Sequence, residues 1–130
     1  MNRNAAAIAV VLLGARSFAA CPEGMKPAIE AELFFGRDIG ENFAVSDRDW
    51  RRFVADEISS RFPNGFTIED ARGQWSAPDG HIVRESSKHV TIVIEASGDA
   101  ASIAKIRDGY KRRFHQDSVL LVEREVCSSF

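Results

Sequence analysis

Apolar and polar positions alternate from residue 29 onward. Ile29, Ala31, Leu33 and Phe35 interleave with Glu30, Glu32 and Phe34 before Gly36 ends the run. A period of two predicts a strand with one covered face. The period then lengthens: Ser46 and Asp49 stand three apart, as in a capping box with Asp in place of Glu. Trp50, Phe53, Val54 and Ile58 follow at helical spacing, which predicts a helix over roughly 47–60. Phe62, Pro63, Asn64 and Gly65 break that pattern. Two long alternating runs follow, Phe66 to Ser76 and Ile82 to Glu95, either side of Pro78-Asp79-Gly80. Asp99 predicts the cap of a second helix with the apolar stripe Ile103, Ile106, Tyr110 and Phe114. Lys111, Arg112 and Arg113 close that helix, where cations suit its dipole, and Ser118 to Val126 predicts a last strand.

The order β-α-β-β-α-β is the split βαβ arrangement, so the expected class is α+β and ferredoxin-like. Its four-stranded antiparallel sheet runs in the order 4-1-3-2, with both helices on one face and a long hairpin between the second and third strands. The hairpin register follows from its turn. Pro78-Asp79-Gly80 suits a three-residue loop, a type I turn closed by a left-handed Gly, which sets Ala77 opposite His81. Phe66 then meets Ile92 and Ile68 meets Val90 on the covered face. Farther out on that face Asp70 meets Lys88, Arg72 meets Ser86, and Gln74 meets Arg84. The other face pairs Thr67 with Thr91, Glu69 with His89, Gly73 with Glu85, and Trp75 with Val83. A slip of one residue would set Phe66 against Thr91 and waste core contacts. The helix-free face is expected to carry Phe34, Val93 and Leu121, a surface on which a homodimer can form.

The N-terminus differs from the rest. Arg3 precedes the apolar run Ala5 to Leu13, and small residues lead up to Cys21. These are the regions of a secretory signal, so residues 1–20 read as a signal peptide, cleaved after Ala19 or Ala20, and 21–130 as one domain. The run is too short to span a bilayer, and no transmembrane segment is expected in the mature chain. The mature protein is then secreted or periplasmic. Cys21 has two readings. FAAC resembles a lipoprotein signal with Phe18 where Leu is usual, which would anchor the chain by a lipid. Alternatively Cys21 pairs with Cys127, the only other cysteine, in an oxidising compartment. In the expected topology both come to one corner of the sheet, which favours the disulfide.

The 130 residues suffice for one core, and 45% hydrophobic with 28% charged residues is ordinary for a globular chain. Removing Arg3 and Arg16 with the signal takes 17 basic residues to 15, against 19 acidic ones. Such a balance argues against a nucleic-acid partner. His81, His89 and His115 lack metal-ligand spacing, and no strand–GxxxxGK–helix context surrounds the glycines, so neither metal nor cofactor is expected. His89 opposite Glu69 reads as a surface pair. The topology gathers Arg37, Asp38, Arg72, Gln74, Arg84, His115 and Gln116 at one end, near the start of the first helix. Arg37, Arg72, Gln74 and Arg84 are the candidate set for a small anion, since guanidinium groups bind carboxylate and phosphate in bidentate fashion. The expected function is an extracytoplasmic binding or interaction module. The alternative is a small enzyme with Glu85, Asp70 or His115 as acid or base.

The segments AELFFGR, VSDRDWRRF, RFPNGFT, DARGQW, GHIVRESSK, YKRRFHQDSV and the terminal VCSSF together resemble the bacterial domain-of-unknown-function family 3574, from Cys21 nearly to Phe130. The resemblance implies an exported, compact domain. It implies no known activity and carries no catalytic residue to this sequence.

Overall fold

The computed structural model describes residues 20–39, 43–95 and 100–130. Its elements are β1 (Lys26–Gly36), β2 (Asp38–Ile39), β3 (Phe43–Ala44), α1 (Asp47–Phe53) continuing as a π-helical segment (Val54–Ser59), β4 (Thr67–Ser76), β5 (Ile82–Glu95), α2 (Ala100–Phe114) and β6 (Leu120–Ser128). The long strands form one antiparallel sheet in the order β4-β5-β1-β6. The short β2–β3 pair, which alternation did not reveal, stands apart from it. The expected cap Asp99 and residues 1–19 of the expected signal lie outside the described residues.

The hairpin register is the one its turn dictates. Thr67 pairs with Thr91 and Ser76 with Ile82, with no slip between them. Gly80 has φ of +89°, a conformation an L side chain rarely adopts. The Gly80 N–H donates to the Ala77 carbonyl (2.8 Å), and the Ala77 N–H donates to the His81 carbonyl (2.9 Å).

One face of the sheet is core. Ala31, Leu33 and Phe35 of β1, with Val90 and Ile92 of β5, lie under Trp50, Phe53 and Ile58 and under the α2 stripe Ile103, Ile106, Tyr110 and Phe114. Phe35 is the hub, with ring centroids 4.8 Å from Tyr110, 5.3 Å from Trp50 and 5.8 Å from Phe53. Burying each such side chain stabilises the fold by about 1.5–3 kcal/mol. The first helix spans the predicted range but changes winding after Phe53. Residues five apart lie about 140° apart around an α-helix. The wider π turn brings Phe53 and Ile58 toward one face, and both are fully buried.

The register corrects one expectation about the helix-free face. Leu121 pairs with buried Leu33, so it points to the core and packs there. Its neighbours Leu120 and Val122 occupy the open face, opposite Phe34 and Glu32. The last strand begins two residues later than expected, and that face carries Phe34 and Val93 as read.

At the far end of β1, Pro27 lies opposite Cys127. A tight turn, with the Met25 N–H donating to the Pro22 carbonyl (3.1 Å), folds Cys21 back to it. Cys21 and Cys127 are disulfide-bonded, with Cα atoms 5.6 Å apart. Among the described residues no helix is long and apolar enough to cross a membrane.

Candidate functional site

The outer half of the β4–β5 hairpin projects past the helices, and α1 leans over its base. Between them lies an open cleft of about 690 Å³, walled by Arg37, Asp47, Trp50, Arg51, Asp70, Arg72, Ser86 and Lys88 among others. Each side chain arrives for a local reason. Arg37 is the first residue after β1, where its N–H still bonds the Ser86 carbonyl (3.0 Å). Its guanidinium donates to the Val45 carbonyl (Nε, 2.9 Å) and to Asp47 (2.8 Å). Asp70, Arg72 and Lys88 continue the covered face of the hairpin beyond the core residues Val90 and Ile92. Lys88 forms an ion pair with Asp70 and holds that carboxyl below its ordinary range, first through the hydrogen bond and then through its charge. Arg51 comes from α1 beside buried Trp50.

Four cations and two carboxylates therefore line this cleft. Arg37 and Lys88 are committed to Asp47 and Asp70, whereas Arg51 and Arg72 have no ion pair among the described residues. Such a cleft presents two guanidinium groups to a ligand that brings negative charge.

The four residues predicted as an anion set do not share one cavity. Arg37 and Arg72 line the cleft. Arg72, Gln74 and Arg84 line a second hollow of about 460 Å³ farther along the hairpin, and Arg72 is common to both. The start of α1 is already satisfied: the Ser46 hydroxyl accepts the Asp49 N–H (3.1 Å) and donates to the Asp49 carboxylate (2.7 Å). With Asp47 and Asp49 in its first turn, that helix end offers no anion seat.

The acid–base candidates are dispersed. Glu85 borders the second hollow but turns its carboxylate toward Gly36 and Gly73; a Cβ on Gly36 would lie 2.8 Å from its Oε2. Burial, and then the Asp38 charge, push its carboxyl above the ordinary range. Asp70 is held by Lys88. His115 ends α2 in the left-handed region (φ +53°) and is exposed, and its neighbour Gln116 donates to the Asp38 carbonyl (2.7 Å). Its role is to end a helix. His89 does meet Glu69 (3.3 Å), but it also meets Glu32 (3.1 Å) and stacks on Phe34 with centroids 4.4 Å apart. Arg124 adds ion pairs to Glu30 and Glu32, so the open face carries a five-residue polar network across β4, β5, β1 and β6. Among the described residues no group of His, Cys, Asp and Glu is arranged to hold a metal ion.

Sequence reasoning missed Arg51 as a cleft residue. It stands one turn after Asp47, a spacing that ties the two to one helix face. Which way that face turns is set by Trp50 and Phe53 docking on Phe35, a tertiary fact.

The fold has solved relatives in shape. A phage SAM lyase in complex with S-methyl-5'-thioadenosine superposes with a TM-score of 0.59 at 14% identity, covering 92% of this chain and 97% of that one. The apo state of a phage SAM lyase gives 0.57 at 18% identity, covering 88% and 97%. CutA1 from Oryza sativa gives 0.55 at 11% identity, covering 83% and 87%. At these identities the likeness is one of fold. No curated protein matches the sequence. The family model described as "Protein of unknown function (DUF3574)" matches residues 30–130, which include β1 from Glu30 onward, the hairpin and every residue of the cleft, and the chain belongs to that family.

Proposed function

We propose that this chain is an exported, ferredoxin-like binding module whose ligand is a small anion, a carboxylate or a phosphate, held in the cleft between α1 and the hairpin. The observation that carries the reading is the pair Arg51 and Arg72. Both guanidinium groups line the cleft without an ionic partner among the described residues, while its two carboxylates are already taken by Arg37 and Lys88. A volume of about 690 Å³ lies within the range of small-molecule sites. Export is supported by the apolar run behind Arg3 and by the Cys21–Cys127 disulfide, which persists in oxidising compartments.

The test is thermal unfolding with phosphate, sulfate and small carboxylates, against chloride at matched ionic strength. A bound anion raises the midpoint, and above its dissociation constant the rise follows the logarithm of its concentration. Losing one guanidinium contact costs roughly 1.5–3 kcal/mol, about tenfold to a hundredfold in affinity. Arg51→Ala and Arg72→Ala should each show that loss. Equal shifts for every anion, in wild type and both variants, would reduce the effect to ionic strength and end the proposal.

A further inference from the structure

Among the described residues β4 is an edge strand, with β5 on one side and no strand on the other. The Ala77 N–H bonds the His81 carbonyl, and the pairing is uninterrupted. The odd-numbered residues of β4 therefore turn their backbone groups toward β5, and the even-numbered ones turn theirs outward. Among the described residues, the outward N–H and C=O groups of Ile68, Asp70, Arg72 and Gln74 have no backbone partner. Of the usual protections of an edge, Thr67–Ser76 has no Pro, no Lys and no bulge in its register; what it has are the charges Glu69, Asp70 and Arg72.

We infer that β4 pairs antiparallel with β4 of a second copy of this chain, about a two-fold axis through Ala71. The argument is one of parity and charge. An axis relating two antiparallel edge strands stands perpendicular to the sheet, so opposed residues lie on the same face. Their numbers then add to twice that of the residue on the axis. Centring on Glu69, Asp70 or Arg72 sets a charge against its own copy. Centring on Gly73 opposes Asp70 to Ser76 and Arg72 to Gln74, with no ion pair. Centring on Ala71 opposes Asp70 to the partner's Arg72 twice over, and lays half-exposed Trp75 against the partner's Thr67. Opposite charges directly across a sheet stabilise it, and like charges destabilise it. Only the Ala71 register satisfies both.

The other edge behaves differently. In β6, Glu123, Arg124 and Glu125 are consecutive, so Glu and Arg always differ in parity. No two-fold register on β6 can oppose them, whereas registers centred there oppose like to like. In the β4 pair, Asp70 sits between Lys88 of its own chain and the partner's Arg72. Arg72 has five N–H donors, enough to serve that carboxylate and the cleft together.

The register is tested with two complementary charge reversals in the mature chain, followed by sedimentation equilibrium. Wild type should sediment at twice the chain mass. Asp70→Lys opposes Lys to Arg, and Arg72→Glu opposes Asp to Glu, so each variant alone should be a monomer. Mixed in equal amounts they oppose Lys to Glu and Arg to Asp, and the double mass should return. Circular dichroism checks that both variants fold. Independently, Ala71→Cys leaves every charge in place and puts two thiols on the axis, at a separation a disulfide spans. Diamide should link that variant into a covalent dimer, while the native bond already occupies the other two cysteines. A monomeric wild type at its highest soluble concentration, a mixture that stays monomeric, or no cross-link at position 71 would each overturn the inference. Arg51→Ala, which changes the cleft but not β4, should leave the dimer intact, so failure of the ligand proposal and failure of this one read out separately.

Discussion

Breaking the Cys21–Cys127 bond should bring this domain close to the limit of stability while leaving its cleft functional. The bond joins residues 106 apart in sequence. In the chain-entropy account a loop of that length removes about 4.7 kcal/mol of conformational entropy from the unfolded state. Domains of this size are stable by only about 5–15 kcal/mol in all. Each kcal/mol is worth roughly 3–5 °C at this chain length, so the midpoint should fall by about 14–24 °C. The assay is thermal unfolding of residues 21–130, oxidised and reduced, beside the double variant Cys21→Ser/Cys127→Ser. Reduction and substitution should agree, because both leave β1 paired with β6 from Lys26 to Phe34. The bond lies at one end of β1 and Arg37 just beyond the other, roughly 30 Å away along 11 strand residues. Anion-dependent shifts should therefore survive reduction below the lowered midpoint. A change under about 3 °C would refute the reasoning, because the scale of the entropy term is more than twice that. A diacylglyceryl adduct on Cys21 in the intact mass of protein expressed with residues 1–20 would refute it differently, by assigning that sulfur to a lipid anchor.

Three further outcomes are expected. Phe35→Ala, which empties the hub of the aromatic cluster, should cost about 3–5 kcal/mol in urea unfolding, the scale of a large-to-small core change; a loss below about 1 kcal/mol would mean that the cluster repacks. Tyr110→Phe removes the hydroxyl that donates to the Gly36 carbonyl (2.7 Å) at the point where β1 releases Arg37, and should cost about 1 kcal/mol. Glu85→Gln should stabilise the protein at neutral pH: a carboxyl held above its unfolded value favours folding below that value and loses the contribution as pH rises through the folded one. The gain should vanish in acid, where Glu85 is protonated in both states, and a gain that persists there would point to a cause other than charge.

What was legible in the sequence was whatever a short segment settles by itself. The hairpin register needed only Pro78, Asp79 and Gly80, because a left-handed Gly80 fixes how Ala77 meets His81 and alternation carries that pairing to Thr67 and Thr91. The α2 stripe needed only the 3.6-residue period. The winding of the first helix was not legible. Phe53 and Ile58 fit an α period poorly, and the π segment that reconciles them forms because both must reach one core. Leu121 was misplaced for a related reason: in LLVE the apolar run itself gives no phase, and only pairing with Leu33 decides which leucine faces inward.

The candidate site was half legible, and the division has a physical cause. Residues on the hairpin came out on their correct faces, because strand parity is strict. Outside the hairpin the reading was partial: Arg37 was named and lines the cleft, its guanidinium held by Val45 and Asp47, whereas Arg51 was missed because its place follows from the angle at which Trp50 sits on Phe35. The polar outer half of the hairpin thereby gains two explanations that share one parity class. Asp70, Arg72 and Gln74 lie at even positions of β4. Their side chains extend the covered face past the helices, toward the cleft and the hollow beside it. Their backbone groups, for the same reason of parity, turn outward along the free edge. An apolar residue at 70 or 72 would remove a charge from the cleft and from the edge at once. On the two proposals the same two positions serve ligand and partner alike; Arg51 lies off β4 and tests the ligand alone, whereas Ala71, which also borders the cleft, reads the partner through a cross-link on the axis.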